Sequence, residues 1–193
     1  MKIKSLYKFT WVNNFMQSLK PSSVIYDLGQ CQCQYLIENT GSNMKKDDSI
    51  YALNCQNYLN ICREQNLEIV VLNRRSTCAP KASSDAILCI DVLHNLYSYR
   101  DRLDLLFELK RLIKPDCRIL LSVWSIDQPP NARRHFNNYG NNIVLWENYG
   151  HVYEKYYYIF RIEEIQKLFQ ITGFEVIEHE QCDGHEIFTL RIN

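Results

Sequence analysis

The chain has 193 residues, 46% hydrophobic and 23% charged, which fits a single domain spanning residues 1–193 with a substantial core. No apolar run approaches the roughly 20 residues that a membrane-spanning helix needs. Lys plus Arg and Asp plus Glu number 22 each, so the net charge is zero and no overall basic field indicates a nucleic-acid partner. Any such contact has to come from a local patch.

Eight cysteines are present, but the chain is too long and too rich in core residues to depend on disulfides. The N-terminal segment lacks the sustained apolar centre of a secretory signal. We therefore expect reduced thiols and a cytoplasmic protein, with the nucleus as a second location. Cys31 and Cys33 form a CxC pair without a second pair at zinc spacing, so we expect no bound metal.

The apolar patterning predicts strands that alternate with helices, followed by two consecutive strands. This order is typical of an α/β fold with a largely parallel sheet. A longer irregular stretch, about 125–158, is interpreted as an insertion on the substrate side. In chain order, the predicted elements are helix 9–19, strand 22–29, strand 49–53, helix 56–65, strands 67–72 and 84–91, helix 99–113, strand 118–124, helix 161–171, and strands 174–180 and 186–192.

In open α/β sheets the ligand binds beyond the carboxyl ends of the strands, next to the first strand. Three short segments of this chain follow predicted strands at that edge. They are residues 27–35, 53–55 and 91–96. We expect the functional site to be built from these segments.

These segments carry a resemblance to a known family. VIYDLGQCQCQYL (24–36) stands where S-adenosylmethionine methyltransferases have the glycine-rich loop VxDxGCGxGxYL. SSDAILCIDVLHNL (83–96) and RILLSVWSIDQ (118–128) resemble FDAxxSIxVIHH and LLxxVWAxEQ of one subgroup, the tRNA (carboxymethyl-uridine-34) methyltransferase family. Residues 143–164 are similar to its VPW…RYYHVFREGEL, and Asp183-Gly184-His185 fall near its DHGNW. The resemblance runs from about residue 9 to the end.

The resemblance implies a Rossmann-like class I methyltransferase. Its seven-stranded, mostly parallel sheet would have the order 3-2-1-4-5-7-6, with helices on both faces and strand 186–192 antiparallel. The implied cofactor is S-adenosyl-L-methionine. The implied reaction esterifies the carboxymethyl group of a modified wobble uridine in the tRNA anticodon loop.

The resemblance also implies a heterodimer. In the family a small zinc-binding activator protein pairs with the edge of the sheet, which in the predicted order is strand 67–72. The segment ahead of residue 9 is shorter than the family's N-terminal lid, so we expect this edge to be open to a partner. The alternative is that the N-terminal segment or a neighbouring loop covers it.

Matching the motifs residue by residue implies three groups of site residues, several of which have a plain structural alternative. Arg161 could instead be a surface residue at a helix N-terminus, His94 could cap the next helix, and Asp183-Gly184 could be a hairpin turn. Arg133 and Arg134 could be a solvated loop pair, and the tyrosine cluster at 153–160 could be core. The implied residues are, for the cofactor, Asp27, Gly29, Cys31, Cys33, Tyr35, Asn54, Asn73, Asp91 and His94; for catalysis, Arg161, Asp183 and His185; and for substrate, Arg133 and Arg134.

The cofactor loop departs from the family pattern. Only Gly29 remains of its three glycines, and Cys31 and Cys33 occupy the other two places. Glycine is used in such loops because the backbone approaches the ligand closely, which a Cβ obstructs. Asn54 and Asn73 stand where the family has carboxylates, and an uncharged hydrogen bond is weaker. These departures indicate a weakened cofactor site.

Three functions are therefore compatible with the sequence. The first is the tRNA wobble-uridine carboxyl methyltransferase, which needs no strong base because a carboxylate is already ionised at neutral pH. The second is a pseudo-methyltransferase that binds tRNA or acts as a scaffold. The third is a small-molecule methyltransferase of the same fold.

We predict that Cys31→Gly combined with Cys33→Gly tightens cofactor binding, because the change removes two Cβ groups from the path of the ligand. The dissociation constant of S-adenosylhomocysteine, measured by calorimetry, should fall relative to the unaltered chain. Equal affinity of the two proteins would show that this loop does not contact the cofactor.

Overall fold

The computed structural model describes residues 10–28, 61–71, 79–130, 132, 135–148 and 151–193. Three complete helices, a helical segment at 61–64, one 3-10 turn and eight strands lie in these ranges, and none of these helices is long and apolar enough to cross a membrane. The helices are α1 (Thr10–Gln17), α2 (Tyr99–Leu112) and α3 (Ile162–Thr172), and the 3-10 turn is Leu93–Asn95. The strands are β1 (Val24–Asp27), β2 (Glu68–Val71), β3 (Ser84–Ile90), β4 (Ile113–Trp124), β5 (Gly140–Asn148), β6 (His151–Ile159), β7 (Phe174–Cys182) and β8 (His185–Ile192).

Six strands form one sheet in the order β2-β1-β3-β4-β8-β7. Strands β2, β1, β3 and β4 are mutually parallel, and β8 runs antiparallel to both β4 and β7. The predicted α/β class, the mostly parallel sheet and the antiparallel final strand are confirmed. The observed strand order from β1 through β3, β4 and β8 to β7 also agrees with the prediction.

The position of β2 corrects the predicted strand order. The prediction placed strand 49–53 between the first strand and strand 67–72, but β2 pairs directly with β1, from Val24↔Glu68 to Asp27↔Val71. The turn before β2 explains this arrangement. The Ser22 N–H donates to the Gln65 carbonyl at 3.0 Å, and the Glu68 N–H donates to the Ser23 carbonyl at 3.0 Å. These bonds leave no room for an intervening strand, and residues 49–53 lie outside the described ranges.

Both faces of the sheet are covered, as the continuous apolar run in β3 predicts. Alternate residues of β3 belong to two different cores. Ile87 and Cys89 pack under α2 and α3, whereas Ala86 and Leu88 pack under α1 on the other face. The sheet therefore forms the middle layer of a three-layer domain.

Helix α2 follows the carboxyl end of β3 and starts at a well-formed cap. The Ser98 hydroxyl accepts a hydrogen bond from the Asp101 N–H at 3.0 Å. Such a cap, with an acidic residue in the first turn, stabilises a helix N-terminus by about 1 kcal/mol. The helix stays close to its predicted bounds of 99–113.

The stretch 125–158, predicted to be irregular, contains a two-stranded antiparallel sheet instead. Strands β5 and β6 pair from Gly140↔Ile159 to Asn148↔His151. Only two residues of the sequence separate these strands, a short connection that is typical of a β-hairpin. The hairpin is held on the domain by a third core cluster that includes Trp124, Phe136, Tyr157 and Ile159.

Candidate active site

The carboxyl ends of β1 and β3 lie side by side, because these strands are parallel neighbours. The sheet extends from β1 in both directions, to β2 on one side and to β3 on the other. This is the switch point at which open α/β sheets bind their ligands. Asp27 ends β1, and Asp91 directly follows β3. The structure thus brings two of the predicted cofactor residues to one edge.

The buried thiol of Cys89 lies near the carboxylates of both Asp27 and Asp91. Cys89 is fully buried, and burial together with the charges of Asp27 and Asp91 raises the pKa of its thiol far above the usual value. The thiol therefore stays protonated. Asp27 itself is only 1% exposed, so the site contains a carboxylate withdrawn from water.

The backbone at Asp91 is in an unusual conformation. Its φ angle is 59°, in the left-handed region that non-glycine residues rarely adopt. Four hydrogen bonds hold it there, one of them from the Asp91 N–H to the Ser122 carbonyl at 3.2 Å. The Asp91 N–H donates to the Ser122 hydroxyl at 3.1 Å, the Ser122 hydroxyl donates to Oδ1 of Asp91 at 3.0 Å, and the Asn95 amide donates to the Asp91 carbonyl at 2.5 Å. Ser122 and Asn95 are not among the predicted site residues.

The second carboxylate oxygen of Asp91 faces His185, the first residue of β8. Nε2 of His185 lies 3.4 Å from Oδ2 of Asp91, and Nδ1 lies 3.0 Å from the Asp183 carbonyl. Both ring nitrogens thus face acceptors, which is the arrangement that favours the doubly protonated imidazolium. The structure therefore joins a predicted catalytic residue to a predicted cofactor residue in an ion pair.

The ion pair fixes the charge of Asp91. Burial by itself raises the pKa of this carboxyl, but the hydrogen bond and charge of His185 and the hydrogen bond of Ser122 outweigh it and hold the pKa well below the usual range. About a quarter of the Asp91 side chain remains exposed, against 9% for His185. Asp91 is therefore an anion at neutral pH that still faces the cleft, and it is a weak base.

His185 is set in place by the turn before it. Asp183 and Gly184 have φ angles of 49° and 76°, so the interpretation of this pair as a turn is correct. A Cβ at Gly184 would lie 2.7 Å from the Gln128 side chain, which donates a hydrogen bond to the Gly184 carbonyl. The left-handed φ angle therefore favours glycine here, and a Cβ would displace the Gln128 side chain. Trp11 of α1 and Trp124 of β4 flank the imidazole, with ring centroids 6.2 and 6.4 Å away.

His94 has a structural partner different from the predicted one. It does not cap α2, because Ser98 supplies that cap. Instead Nδ1 of His94 accepts a hydrogen bond from the backbone N–H of Trp124 at 3.2 Å. The Trp124 ring stacks on Tyr157 at 4.6 Å with an interplanar angle of 13°. Three segments that carry the sequence resemblance therefore meet at His94, Trp124 and Tyr157, and of the tyrosine cluster Tyr157 is core whereas Tyr153 is exposed.

Arg161 lies at the same edge but in a separate contact. It precedes α3, whose N-terminus is on the carboxyl side because the following strand β7 runs parallel to β4. Its guanidinium lies 4.3 Å from the ring centroid of Tyr139, and its side chain does not cap the helix. The remaining predicted site residues lie outside the described ranges: Gly29, Cys31, Cys33, Tyr35, Asn54, Asn73, Arg133 and Arg134.

Sequence comparison identifies the class of protein to which this site belongs. The profile of a family described as "Methyltransferase domain" matches residues 31–179, well over half of the chain. The chain belongs to this methyltransferase family.

Two relatives narrow the comparison. A Schizosaccharomyces pombe protein named tRNA (carboxymethyluridine(34)-5-O)-methyltransferase is 26% identical over 192 residues, which cover 87% of this chain and 80% of that protein. The mouse protein of the same name, ALKBH8, is 30% identical over 117 residues, which cover 59% of this chain but only 16% of that protein. The methyltransferase domain thus spans a small part of the longer relative.

Solved structures agree on the fold. The 1,6-didemethyltoxoflavin-N1-methyltransferase of Burkholderia thailandensis, solved with S-adenosylhomocysteine, superposes with a TM-score of 0.57 at 15% identity. The match covers 98% of this chain and 79% of that one. The fold is that of S-adenosylmethionine-dependent methyltransferases.

The described part of the site fits the family's cofactor. S-adenosylmethionine is positively charged at its sulfonium sulfur and its amino group, and carboxylates at the ends of β1 and β3 complement such charges. No group of three or more His, Cys, Asp or Glu in the described ranges could hold a metal ion. Asp27 and Asp91 are therefore the side chains of the methyltransferase domain that we expect to face the cofactor.

We predict that Asp91→Asn lowers the free energy of unfolding at neutral pH, and that this loss shrinks in acid. The lowered pKa of Asp91 means that its charge stabilises the folded state above about pH 4, the usual aspartate pKa. As the pH falls below that value the unfolded chain binds the proton first, so the advantage of the unaltered protein disappears. Urea unfolding between about pH 7 and pH 3 measures both curves.

Asp116→Asn is the matched control, since Asp116 is exposed and has a similar φ angle of 61°. Its curve should run parallel to that of the unaltered protein. A parallel curve for Asp91→Asn as well would contradict the assignment of a preferentially stabilised charge at Asp91.

Proposed function

We propose that this methyltransferase transfers the methyl group of S-adenosylmethionine to the carboxylate of a carboxymethyl-modified wobble uridine in tRNA. The proposal rests on the two side chains that could act as a base, His185 and Asp91. Both nitrogens of His185 face acceptors, and the pKa of Asp91 is low, so neither side chain is suited to take a proton from an acceptor. A carboxylate acceptor has no proton to lose at neutral pH.

Methyl transfer to a carboxylate depends on alignment. Transfer of the methyl group to an acceptor oxygen would yield a methyl ester and S-adenosylhomocysteine, with the electron pair of the broken carbon–sulfur bond left on sulfur. The cofactor supplies the activated methyl group. The protein's contribution is to hold the three atoms in line, and such positioning can lower a barrier by about 7–11 kcal/mol.

The His185–Asp91 pair also suits an anionic acceptor. A lone carboxylate at the end of β3 would repel an incoming carboxylate, but a protonated His185, 3.4 Å away, would offset the charge of Asp91. Asp27, which is buried, can still complement the cationic cofactor. The site thus carries charge for the methyl donor without excluding a negatively charged acceptor.

One sequence feature supports a second candidate, a pseudo-methyltransferase that binds tRNA without transferring a methyl group. Cys31 and Cys33 replace glycines in the segment that resembles the cofactor loop. Retained tRNA binding with no measurable affinity for S-adenosylhomocysteine would favour this candidate.

The test of the proposed function uses the full chain, S-adenosylmethionine with a labelled methyl group, and two matched tRNAs. One tRNA carries a carboxymethyl group on its wobble uridine, and the other has an unmodified uridine. We expect base-labile label, the signature of an ester, only on the carboxymethylated tRNA. Labelling of both tRNAs, or of neither in the presence of bound cofactor, would contradict the proposal.

The same assay extends to the cysteine variants. The double variant Cys31→Gly, Cys33→Gly should gain activity at limiting cofactor. The matched double variant Cys31→Ala, Cys33→Ala keeps the Cβ groups and should gain much less.

We also propose that β2 pairs with a small zinc-binding activator protein, the partner that the resemblance implies. Strand β2 is the terminal strand of the described sheet, and no strand in the described ranges pairs with its other side. Its sequence EIVV has a single charge and no proline, and such an edge favours pairing with another chain. The edge position itself follows from direct pairing with β1.

The backbone of β2 decides which substitution tests this partner. The Glu68 N–H points to β1, where it donates to the Ser23 carbonyl. Because donors alternate along a parallel strand, the Val70 N–H also points to β1, and the Val71 N–H points away from it. Proline at Val71 therefore removes an outward donor, whereas proline at Val70 breaks the sheet itself.

We predict that Val71→Pro folds but loses the activator, and that Val70→Pro is insoluble with or without it. Circular dichroism checks folding, and co-purification with the tagged activator measures binding. A folded Val71→Pro protein that binds the activator as well as the unaltered chain does would contradict pairing at this edge.

A further inference from the structure

An exposed tyrosine next to the active site is held rigidly by its neighbours. Tyr97 is 76% exposed, and it lies two residues beyond Asn95, whose amide holds the Asp91 carbonyl. Its ring lies 4.9 Å from that of Tyr156 on the hairpin. Leaving most of a large aromatic ring in water forgoes the free energy of its burial. A fixed and exposed ring of this kind is therefore suited to receive a ligand.

Arg102 builds the support beneath this ring. Its buried guanidinium donates to the Leu96 carbonyl at 3.0 Å, to the Tyr97 carbonyl at 3.2 Å and to the Tyr156 hydroxyl at 3.0 Å. The Tyr156 hydroxyl in turn donates to Oδ1 of Asn141 at 2.7 Å. The guanidinium also packs 3.6 Å from the ring centroid of Tyr158. Helix α2, the loop before it and both hairpin strands are thus tied together below Tyr97.

A second aromatic group lies at the base of the same hairpin. Tyr139 is 40% exposed, and the Arg161 guanidinium lies 4.3 Å from the centroid of the Tyr139 ring. Asn141, two residues along the chain, connects this group to Tyr156 and so to Tyr97. Both aromatic groups are therefore connected through the start of β5.

We propose that Tyr97 and the Tyr139–Arg161 pair form a stacking surface that holds unpaired bases of the RNA acceptor beside the site. The inference rests on the proposed function, since it assumes that the acceptor is RNA. Unpaired bases stack on tyrosine rings and on arginine planes, and a ring that is already fixed loses little freedom on binding. With zero net charge, the chain gains more from stacking than from a general attraction to phosphate.

The test measures binding of a fluorescently labelled anticodon stem–loop RNA with an unmodified wobble uridine to the full chain. Tyr97→Ala should weaken binding by roughly five- to a hundredfold, the usual effect of removing one stacked base contact. Tyr97→Phe keeps the ring and should bind within about twofold. Phe107→Ala is the matched control, because Phe107 is an aromatic residue of α2 that is 48% exposed.

Arg161→Lys separates stacking from charge. Lysine keeps the positive charge but lacks the planar guanidinium, so this variant should lose affinity for the RNA while the salt dependence of binding stays the same. Loss of affinity together with a shallower salt dependence would assign Arg161 to a phosphate contact and overturn its part in stacking.

The outcomes distinguish this inference from the proposed function. If the unaltered chain methylates carboxymethylated tRNA but Tyr97→Ala binds the stem–loop normally, the stacking surface is wrong and the function stands. If Tyr97→Ala affects only self-association or protein binding, the surface serves a protein partner and the inference is also wrong. If the unaltered chain neither binds the stem–loop nor methylates carboxymethylated tRNA, the proposed function fails and this inference fails with it. S-adenosylhomocysteine affinity should be unchanged in every Tyr97 variant.

Discussion

The ion pair between Asp91 and His185 is the contact on which the active site depends. It joins the carboxyl end of β3 to the first residue of β8, across the intervening strand β4. Ser122 of β4 takes part by bonding both the backbone and the carboxylate of Asp91. Without these bonds a non-glycine residue at a φ angle of 59° would be expected to relax to an ordinary conformation. The pair therefore sets both the charge of the site and the direction in which the chain leaves β3.

A second contact places the acceptor side relative to this charge. The turn after Asp91 carries His94, which bonds the Trp124 backbone, and Trp124 stacks on Tyr157 of the hairpin. The hairpin therefore contacts the segment that follows Asp91 through the end of β4 and the 3-10 turn. The turn after Asp91 and the hairpin thus share one set of buried aromatic contacts. Such an arrangement suits a reaction that depends on alignment more than on proton transfer.

Sequence patterns predict the elements whose causes are local. The unbroken apolar run predicts β3 and the helical periodicity predicts α2, and their buried faces explain both patterns. The hairpin escapes prediction because its run of tyrosines hides the alternation in β6, where Tyr157 and Ile159 are buried and Tyr158 between them is partly exposed. The place of β2 depends on backbone bonds in the turn before it, which no apolar pattern records. The sequence predicts Asp91 and His185 as separate site residues, but their pairing joins positions far apart in the chain and requires the fold.

The thiol of Cys89 has a consequence for the chemistry that the domain can tolerate. Oxidants and alkylating reagents attack the thiolate, and the two neighbouring carboxylates suppress that form at the strand end where the ligand binds. Burial also raises the pKa of Cys117 and of Cys182, which are more accessible. Cys89 itself should therefore resist oxidation, and a thiol-directed reagent would react poorly with it.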